Sequence, residues 1–272
     1  VAEFSKISWT DNTHNEWIGC TKITPACDDC YAADMMARRF HRVVWGAPGE
    51  GEGTRILTSE ANRQKPHTWD RAAKASGKRP LVFSLSLGDW ADNAVEEEWT
   101  HGLLDRVEAT PHLFWLLLTK RPENVLPIMF GNKGRSRGRT SWPRNAALGT
   151  TCEDRKRAER NLPLMMAAQY QLGIGLMFVS YEPALEPIAD VAREFMRPPG
   201  QQGVGWWLCG GESRQGPGHV PRESDPDWFR EVRQACADTG AMFHMKQMTD
   251  RRAIPADLQL RERPDVRRYC AA

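Results

Sequence analysis

The sequence contains no apolar run approaching the ~18 residues needed to span a bilayer, and its first residues carry no basic-then-apolar leader pattern. Both absences argue against a membrane protein and point to the cytoplasm. Charge imbalance is missing too. The 37 Lys and Arg residues against 35 Asp and Glu give a formal net charge of only +2, which excludes a molecule that binds polyanions with its whole surface. Tyrosine is scarce, 4 residues against 11 tryptophans, so indoles rather than phenols supply most of the large polar-tipped side chains. The 7 cysteines are odd in number and clustered, which argues against a disulfide framework and for a reducing compartment with metal binding. A second cysteine cluster is absent, so no auxiliary iron–sulfur centre is expected.

What is present is concentrated in one stretch, Gly19-Cys20-Thr-Lys-Ile-Thr-Pro-Ala-Cys27-Asp-Asp-Cys30-Tyr31. The C-x6-C-x2-C spacing gathers three thiols in a loop, and Tyr31–Phe40 reads as the start of a helix. Three sulfurs suit an iron–sulfur cluster with one open iron, or a metal completed by a fourth ligand from elsewhere. His14 is the obvious fourth ligand if the metal is zinc, with Asp28 as a substitute, although a lone histidine is more often a hydrogen-bonded side chain. Asn12, His14 and Asn15 lie close enough in sequence to enter the same pocket.

Short apolar runs alternate with amphipathic segments along most of the chain. Strands are expected at Lys6–Trp9, Pro80–Leu87, Leu113–Leu118, Ala146–Thr150, Met177–Val179, Gly205–Cys209 and Ala241–Met245. Helices are expected at Glu96–Glu108, Asp154–Gln169 and Asp225–Thr239, the last capped by Ser224 or Asp225, with Pro226 in its first turn and Gly240 past its end. This pattern predicts an α/β fold, a full or partial (β/α) barrel of six to seven parallel strands. The expected organisation is a single barrel over residues 1–250 and a charged tail over 251–272. Most apolar runs end in polar residues: Gly88-Asp89, Thr119-Lys120-Arg121, Thr151-Cys152-Glu153-Asp154, Ser180-Tyr181-Glu182, Gly210-Gly211-Glu212-Ser213 and Lys246-Gln247. In β/α barrels such strand ends build the active site; the bland alternative is that chains simply become polar there.

Gly46–Gly53 reads as an exposed loop. Residues 131–144 read as a basic insertion, carrying Lys133, Arg135, Arg137, Arg139 and Arg144 with no acidic residue. The insertion is either a clamp for a phosphate backbone or a solvated loop. The tail, with Arg251, Arg252, Arg261, Arg263, Arg267 and Arg268, is a further candidate for polyanion contact. Cys152 and Cys209 lie at strand ends, where buried cysteine commonly acts as a small hydrophobe. Cys236 and Cys270 read as structural or incidental, and Trp206 and Trp207 as packing residues.

The cysteine loop, with Val179-Ser-Tyr-Glu-Pro183, Cys209-Gly-Gly-Glu-Ser213, Leu118-Thr-Lys-Arg-Pro122 and Met245-Lys-Gln247, resembles a phage-encoded three-cysteine-motif family that is itself similar to the radical S-adenosylmethionine (SAM) enzymes. The resemblance runs from about Ile7 to Gln247. It implies a radical-SAM-like barrel in which Cys20, Cys27 and Cys30 hold a [4Fe–4S] cluster and SAM chelates the fourth iron. An electron from the cluster then cleaves SAM to a 5′-deoxyadenosyl radical that abstracts a substrate hydrogen. It also implies an external electron donor and, for a phage protein, the cytoplasm of a bacterial host.

Two departures stand out. Six residues rather than three separate the first two cysteines, and Gly210-Gly211-Glu212 follows the sixth expected strand instead of the second. At the second strand's end stands Ser84-Leu-Ser-Leu-Gly88-Asp89, so Asp89 is the candidate acceptor for the SAM amino group, with Ser84 and Ser86 beside it. Tyr31, Lys120 and Ser180 complete the expected SAM-facing set. Gly210 and Gly211 would let backbone approach a ligand. Glu212 is expected to face substrate or the SAM ribose. Glu182 is expected to bind SAM or substrate, or to pair with Lys120 structurally. Lys246 is expected to meet a substrate phosphate or carboxylate, or to form a buried pair.

The resulting expectation is a radical SAM enzyme that remodels a nucleobase substituent, an isomerase-type step in phage thymine hypermodification, with DNA held through Lys133–Arg144. Alternatives are a photoproduct-lyase-like DNA repair enzyme, and a non-catalytic, zinc-stapled barrel that binds nucleic acid or protein.

Overall fold

The structure is a computed structural model that describes residues 3–131, 138–216 and 218–269. The chain forms two compact units, Val1–Ala147 with Val266–Ala272, and Leu148–Asp265. Seven parallel strands follow in chain order: β1 Asn12–His14, β2 Leu81–Ser84, β3 Phe114–Thr119, β4 Ala146–Thr151, β5 Met177–Tyr181, β6 Trp206–Gly210 and β7 Met242–Gln247. This is the α/β class that the alternation of apolar runs and amphipathic segments predicts.

In the first unit β1, β2 and β3 pair in parallel, with Thr13 opposite Phe83 and Phe83 opposite Leu116. Leu81-Val-Phe-Ser and Phe114-Trp-Leu-Leu-Leu-Thr are buried almost throughout, as strands covered on both faces must be. Helix α1, Glu60–Ser76, is capped by Ser59, which accepts from Asn62 N, and stopped by Gly77 at φ +64°. Pro66 sits inside it and hides it from a sequence reading, because proline normally ends a helical pattern. Helix α2, Glu97–Glu108, buries Leu103, Leu104 and Val107.

The first strand differs from expectation. Lys6–Trp9 is not extended: Ser5 N donates to Asp11 O and Thr10 N to Ile7 O, folding the segment into a turn. Trp9 is buried beside Phe83, ring centroids 4.6 Å apart, so its apolar character serves packing and β1 begins three residues later. Gly46–Gly53 is a small hairpin, Trp45–Ala47 paired antiparallel to Gly51–Gly53, rather than a bare loop. The helix expected after Cys30 is short, Tyr31–Ala33, and widens into a π-helix over Asp34–Arg39.

In the second unit β4, β5, β6 and β7 pair in parallel, with Thr150 opposite Val179, Trp207 opposite Val179 and Trp207 opposite Phe243. Helix α3, Arg155–Leu172, starts at Asp154, whose carboxylate accepts from Arg157 N. Helix α4, Pro226–Thr239, starts at Asp225 and ends at Gly240, φ +75°. Of the two candidate caps Asp225 serves; Ser224 instead donates to Ala184 O at 2.7 Å. Residues beyond Asp250 are packed into this unit: Leu258 is fully buried and Arg261 forms an isolated bridge with His244. Tyr269 belongs to the first unit, its ring 6.0 Å from Phe114. Among the described residues no helix is long and apolar enough to cross a membrane.

Candidate cofactor-binding site

The cysteine loop leaves β1 through Trp17–Ile18, a short strand paired antiparallel with Ile56–Leu57. Gly19 is required at its start. Its φ is +112°, and a Cβ there would lie 2.2 Å from Thr54 O. Behind the loop Ile18, Met36 and Val43 form a small buried cluster with Met35, Trp45, Ile56 and Leu87 packed on it. Arg55 ties the loop down, donating to Thr21 Oγ1 at 2.7 Å, to Glu52 O, and twice to Asp92 Oδ2 at 2.7 and 3.0 Å.

All three cysteines are free thiols, and two have basic or amide donors turned toward them. Arg121 Nη1 lies 3.4 Å from Cys20 Sγ. Burial pushes the Cys20 thiol up to about 12, with Arg121 pulling the other way. Burial also raises Cys30, opposed by hydrogen bonds from the backbone N–H groups of Ala33 and Ala32 and by the charge of Lys120. Cys27 Sγ is 3.6 Å from Thr24 Oγ1. Among the described residues no group of three ligating atoms within 4.8 Å includes a cysteine.

At the end of β2 the chain turns sharply through Leu85, a non-glycine residue at φ +58°, a conformation that costs roughly 1–2 kcal/mol. Leu85 N to His14 O and Leu87 N to Asn15 Oδ1 hold the turn. Asn15 also binds the Ser86 hydroxyl, and Tyr31 OH donates to Ser86 O. Ser84 Oγ is fully buried and finds no hydrogen-bond partner among the described residues. Asp89 is saturated: Oδ1 accepts from Thr119 Oγ1 (2.6 Å) and Ala91 N (3.0 Å), Oδ2 from Lys120 N and Arg121 Nη1 (3.0 Å each). Its carboxylate positions Arg121 against Cys20. His14 is committed elsewhere, its Nε2 lying 2.9 Å from Glu16, which also pairs with Arg106 and Arg63.

The second unit carries its own cluster at the ends of β5, β6 and β7. Glu182, before the cis Pro183, accepts from Lys246 Nζ at 2.9 Å through Oε2, while its buried Oε1 finds no partner among the described residues. Lys246 thus forms a structural pair with Glu182. A Cβ on Gly210 would come within 3.1 Å of Glu182 Oε1, and one on Gly211 within 2.3 Å of Thr249 N. Both glycines therefore make room for this arrangement. Ser180 is buried within β5, its carbonyl accepting from Cys152 N. Glu212 is gripped by Arg222, through its backbone N–H at 2.8 Å and its guanidinium. Burial pushes the Glu212 carboxyl up, but the Arg222 hydrogen bonds outweigh it and hold the group below the usual carboxylate range. Cys152 and Cys209 are fully buried, their thiols raised by burial.

Residues 4–262 match the family described as "Protein of unknown function (DUF5131)". The chain belongs to this DUF5131 family. A zebrafish (Danio rerio) protein, lysyl oxidase homolog 2B, is 29% identical over 133 residues, 47% of this chain and 17% of that protein, so the chain spans a small part of its length. A solved structure of a spore photoproduct lyase mutant with bound AdoMet and dinucleoside spore photoproduct is 10% identical, with a TM-score of 0.45 over 87% of this chain and 64% of that one.

In this DUF5131 chain the site contains residues that motif reading does not single out. Arg121 stands inside the quoted Thr-Lys-Arg-Pro motif, so its signal was present; Arg55, Asp92 and Arg222 carry no motif signal. In the basic insertion, Lys133, Arg135 and Arg137 lie outside the described residues. Arg139 pairs with Asp105 and Glu108 of α2, which makes it a structural residue rather than a free cation.

Proposed function

We propose that this protein is a radical SAM enzyme in which Cys20, Cys27 and Cys30 hold a [4Fe–4S] cluster, acting on a nucleobase substituent. The observation that carries the reading is the cysteine loop itself. It offers three free thiols, with a guanidinium on Cys20 and helix N-terminal amides on Cys30. Such N–H donors stabilise sulfur-ligated clusters and raise their potentials. The engagement of His14 with Glu16 disfavours His14 as the fourth ligand of the zinc-staple alternative.

The cluster would supply the electron for reductive cleavage of SAM. This chain's residues bind and shield. The unpartnered Ser84 hydroxyl offers a buried polar contact, and Tyr31 with Ser86 shapes the adjoining turn. Asp89 acts through Arg121: with four donors already on its oxygens, it serves as a positioning residue for the cysteine loop. In the second unit Glu182 Oε1, beside the Lys246 pair, is buried without a partner among the described residues and is suited to accept a hydrogen bond from substrate.

The test is a product assay. Anaerobically reconstituted, dithionite-reduced protein incubated with SAM and thymine-containing DNA is expected to release 5′-deoxyadenosine, detected by mass spectrometry. Cys27→Ala is expected to release none. Equal background in both would reject the reading. Analysis of the DNA, with and without ultraviolet irradiation, separates base remodelling from photoproduct reversal.

A further inference from the structure

The second unit holds a cavity of about 670 Å³ lined by Lys246, Gln247, Arg251, Arg252, Gln259 and Arg261, with Ala253 and Ile254 as its apolar wall. Its size falls in the range of about 300–1,000 Å³ typical of small-ligand sites. Four of its lining residues are cations and none is acidic. Two of the four are neutralised from outside the cavity, Lys246 by Glu182 and Arg252 by Glu223. Arg261 uses two of its five donors, on the carbonyls of Met245 and Lys246, and meets no carboxylate among the described residues. The Arg251 guanidinium makes no hydrogen bond or ion pair among the described residues.

The backbone beneath Arg251 is built to present it. Asp250 and Arg251 both have positive φ, +52° and +58°, a conformation that non-glycine residues avoid and that persists only where the surroundings impose it. Here Asp250 N donates to Glu212 O, Arg251 N donates to Met248 O, and the Asp250 carboxylate pairs with Arg214. Gln247 and Gln259 each spend their amide nitrogen on a backbone carbonyl, Gly211 O and Ile254 O, leaving their side-chain oxygens as acceptors. Uncompensated guanidinium forks match phosphate oxygens. Amide acceptors and a small apolar wall alongside suit the sugar and base of a nucleotide.

We propose that this cavity binds the phosphate of a nucleotide, free or within a nucleic-acid strand, with Arg251 and Arg261 as its principal ligands. The site lies wholly in the second unit and needs no iron, so it stands or falls separately from the cluster reading.

The experiment uses the whole 272-residue chain without iron and a fluorescein-labelled oligodeoxythymidylate of about 12 nucleotides, within the site size of one single-strand binding fold, read by anisotropy across a salt series, with thymidine monophosphate and thymidine as competitors. Wild type is expected to bind at low salt. Arg251→Gln should weaken binding several-fold and flatten the salt slope by about 0.7, the increment for one single-strand phosphate contact. Arg251→Lys should keep most of the slope, and Arg193→Gln, which removes an ion pair with Asp238 on the same unit, should change nothing. Arg251 has no structural partner to lose, so its variant keeps the test clear of folding; Arg261→Gln, checked by its melting curve, is the second variant. Competition by the monophosphate but not by thymidine identifies a free nucleotide phosphate as sufficient. Competition by neither, with Arg251-dependent oligonucleotide binding, identifies the strand's phosphodiester. Absence of binding by wild type, or equal affinity and slope in Arg251→Gln, Arg261→Gln and wild type, would overturn the proposal.

Discussion

Arg121 is the residue on which the cysteine site turns. It is buried, donates to Cys20 Sγ, Asp89 and Thr21 O, and stays charged because Asp89 and the neighbouring groups outweigh its burial. Arg121→Ala would strand the Asp89 carboxylate, which is expected to cost about 3–5 kcal/mol, measured by urea denaturation. Arg121→Lys should recover part of this, since a compact ammonium keeps the charge but lacks the planar fork that spans Cys20, Asp89 and Thr21; a loss below about 1 kcal/mol for the alanine variant would show the pair to be incidental. At this scale the sequence is informative about residue type and weak about partners. The three cysteines declare themselves by spacing, whereas Asp89 reads equally well as a ligand for an ammonium or for a guanidinium. Only its four donors decide between them. Glu182 presents the same difficulty: its pairing with Lys246 joins residues 64 positions apart, which local sequence does not encode.

At the scale of elements, six of the seven expected strands are found nearly in place, because runs such as Phe114–Leu118 are too apolar and β-branched or aromatic to be anything but buried. The exception, Lys6–Trp9, is apolar for a different reason, the burial of Trp9. Helix ends are similarly readable where a cap and a glycine coincide. Asp154→Ala removes the side chain that accepts from Arg157 N and is expected to cost about 1 kcal/mol, seen as a lowered denaturation midpoint with unchanged slope. The cysteine loop depends on its first residue in another way. Gly19→Ala would force a Cβ into Thr54 O, so the loop must move. The expected outcome is a folded protein, normal by circular dichroism, that retains markedly less iron after reconstitution; full iron retention would show that the loop tolerates the shift.

At the scale of the whole molecule, two buried histidines give stability a pH dependence of known sign. Burial lowers His244 from an ordinary 6.5 to about 4, assisted by Arg263, Arg261 and Lys246 and opposed by the Glu262 carbonyl. His14 is lowered too, chiefly by burial, with Glu16 opposing. Both are neutral in the folded protein and protonate more readily when unfolded, so the unfolded state takes up more protons below pH 6.5. Stability is therefore full above that value and declines as pH falls toward 4, by about 3 kcal/mol from His244 alone once both states titrate. Urea midpoints between pH 7 and pH 4 should show this fall, and His244→Gln should flatten it.

The central claim is that Cys20, Cys27 and Cys30 hold a cluster with one open iron. It is tested most directly by anaerobic reconstitution with iron and sulfide, followed by EPR of the reduced protein with and without SAM. The account predicts about four iron and four sulfide per chain, a reduced-cluster signal that changes when SAM is added, and loss of both in Cys27→Ala. One tightly held zinc with no cluster signal, or a signal indifferent to SAM, would contradict it.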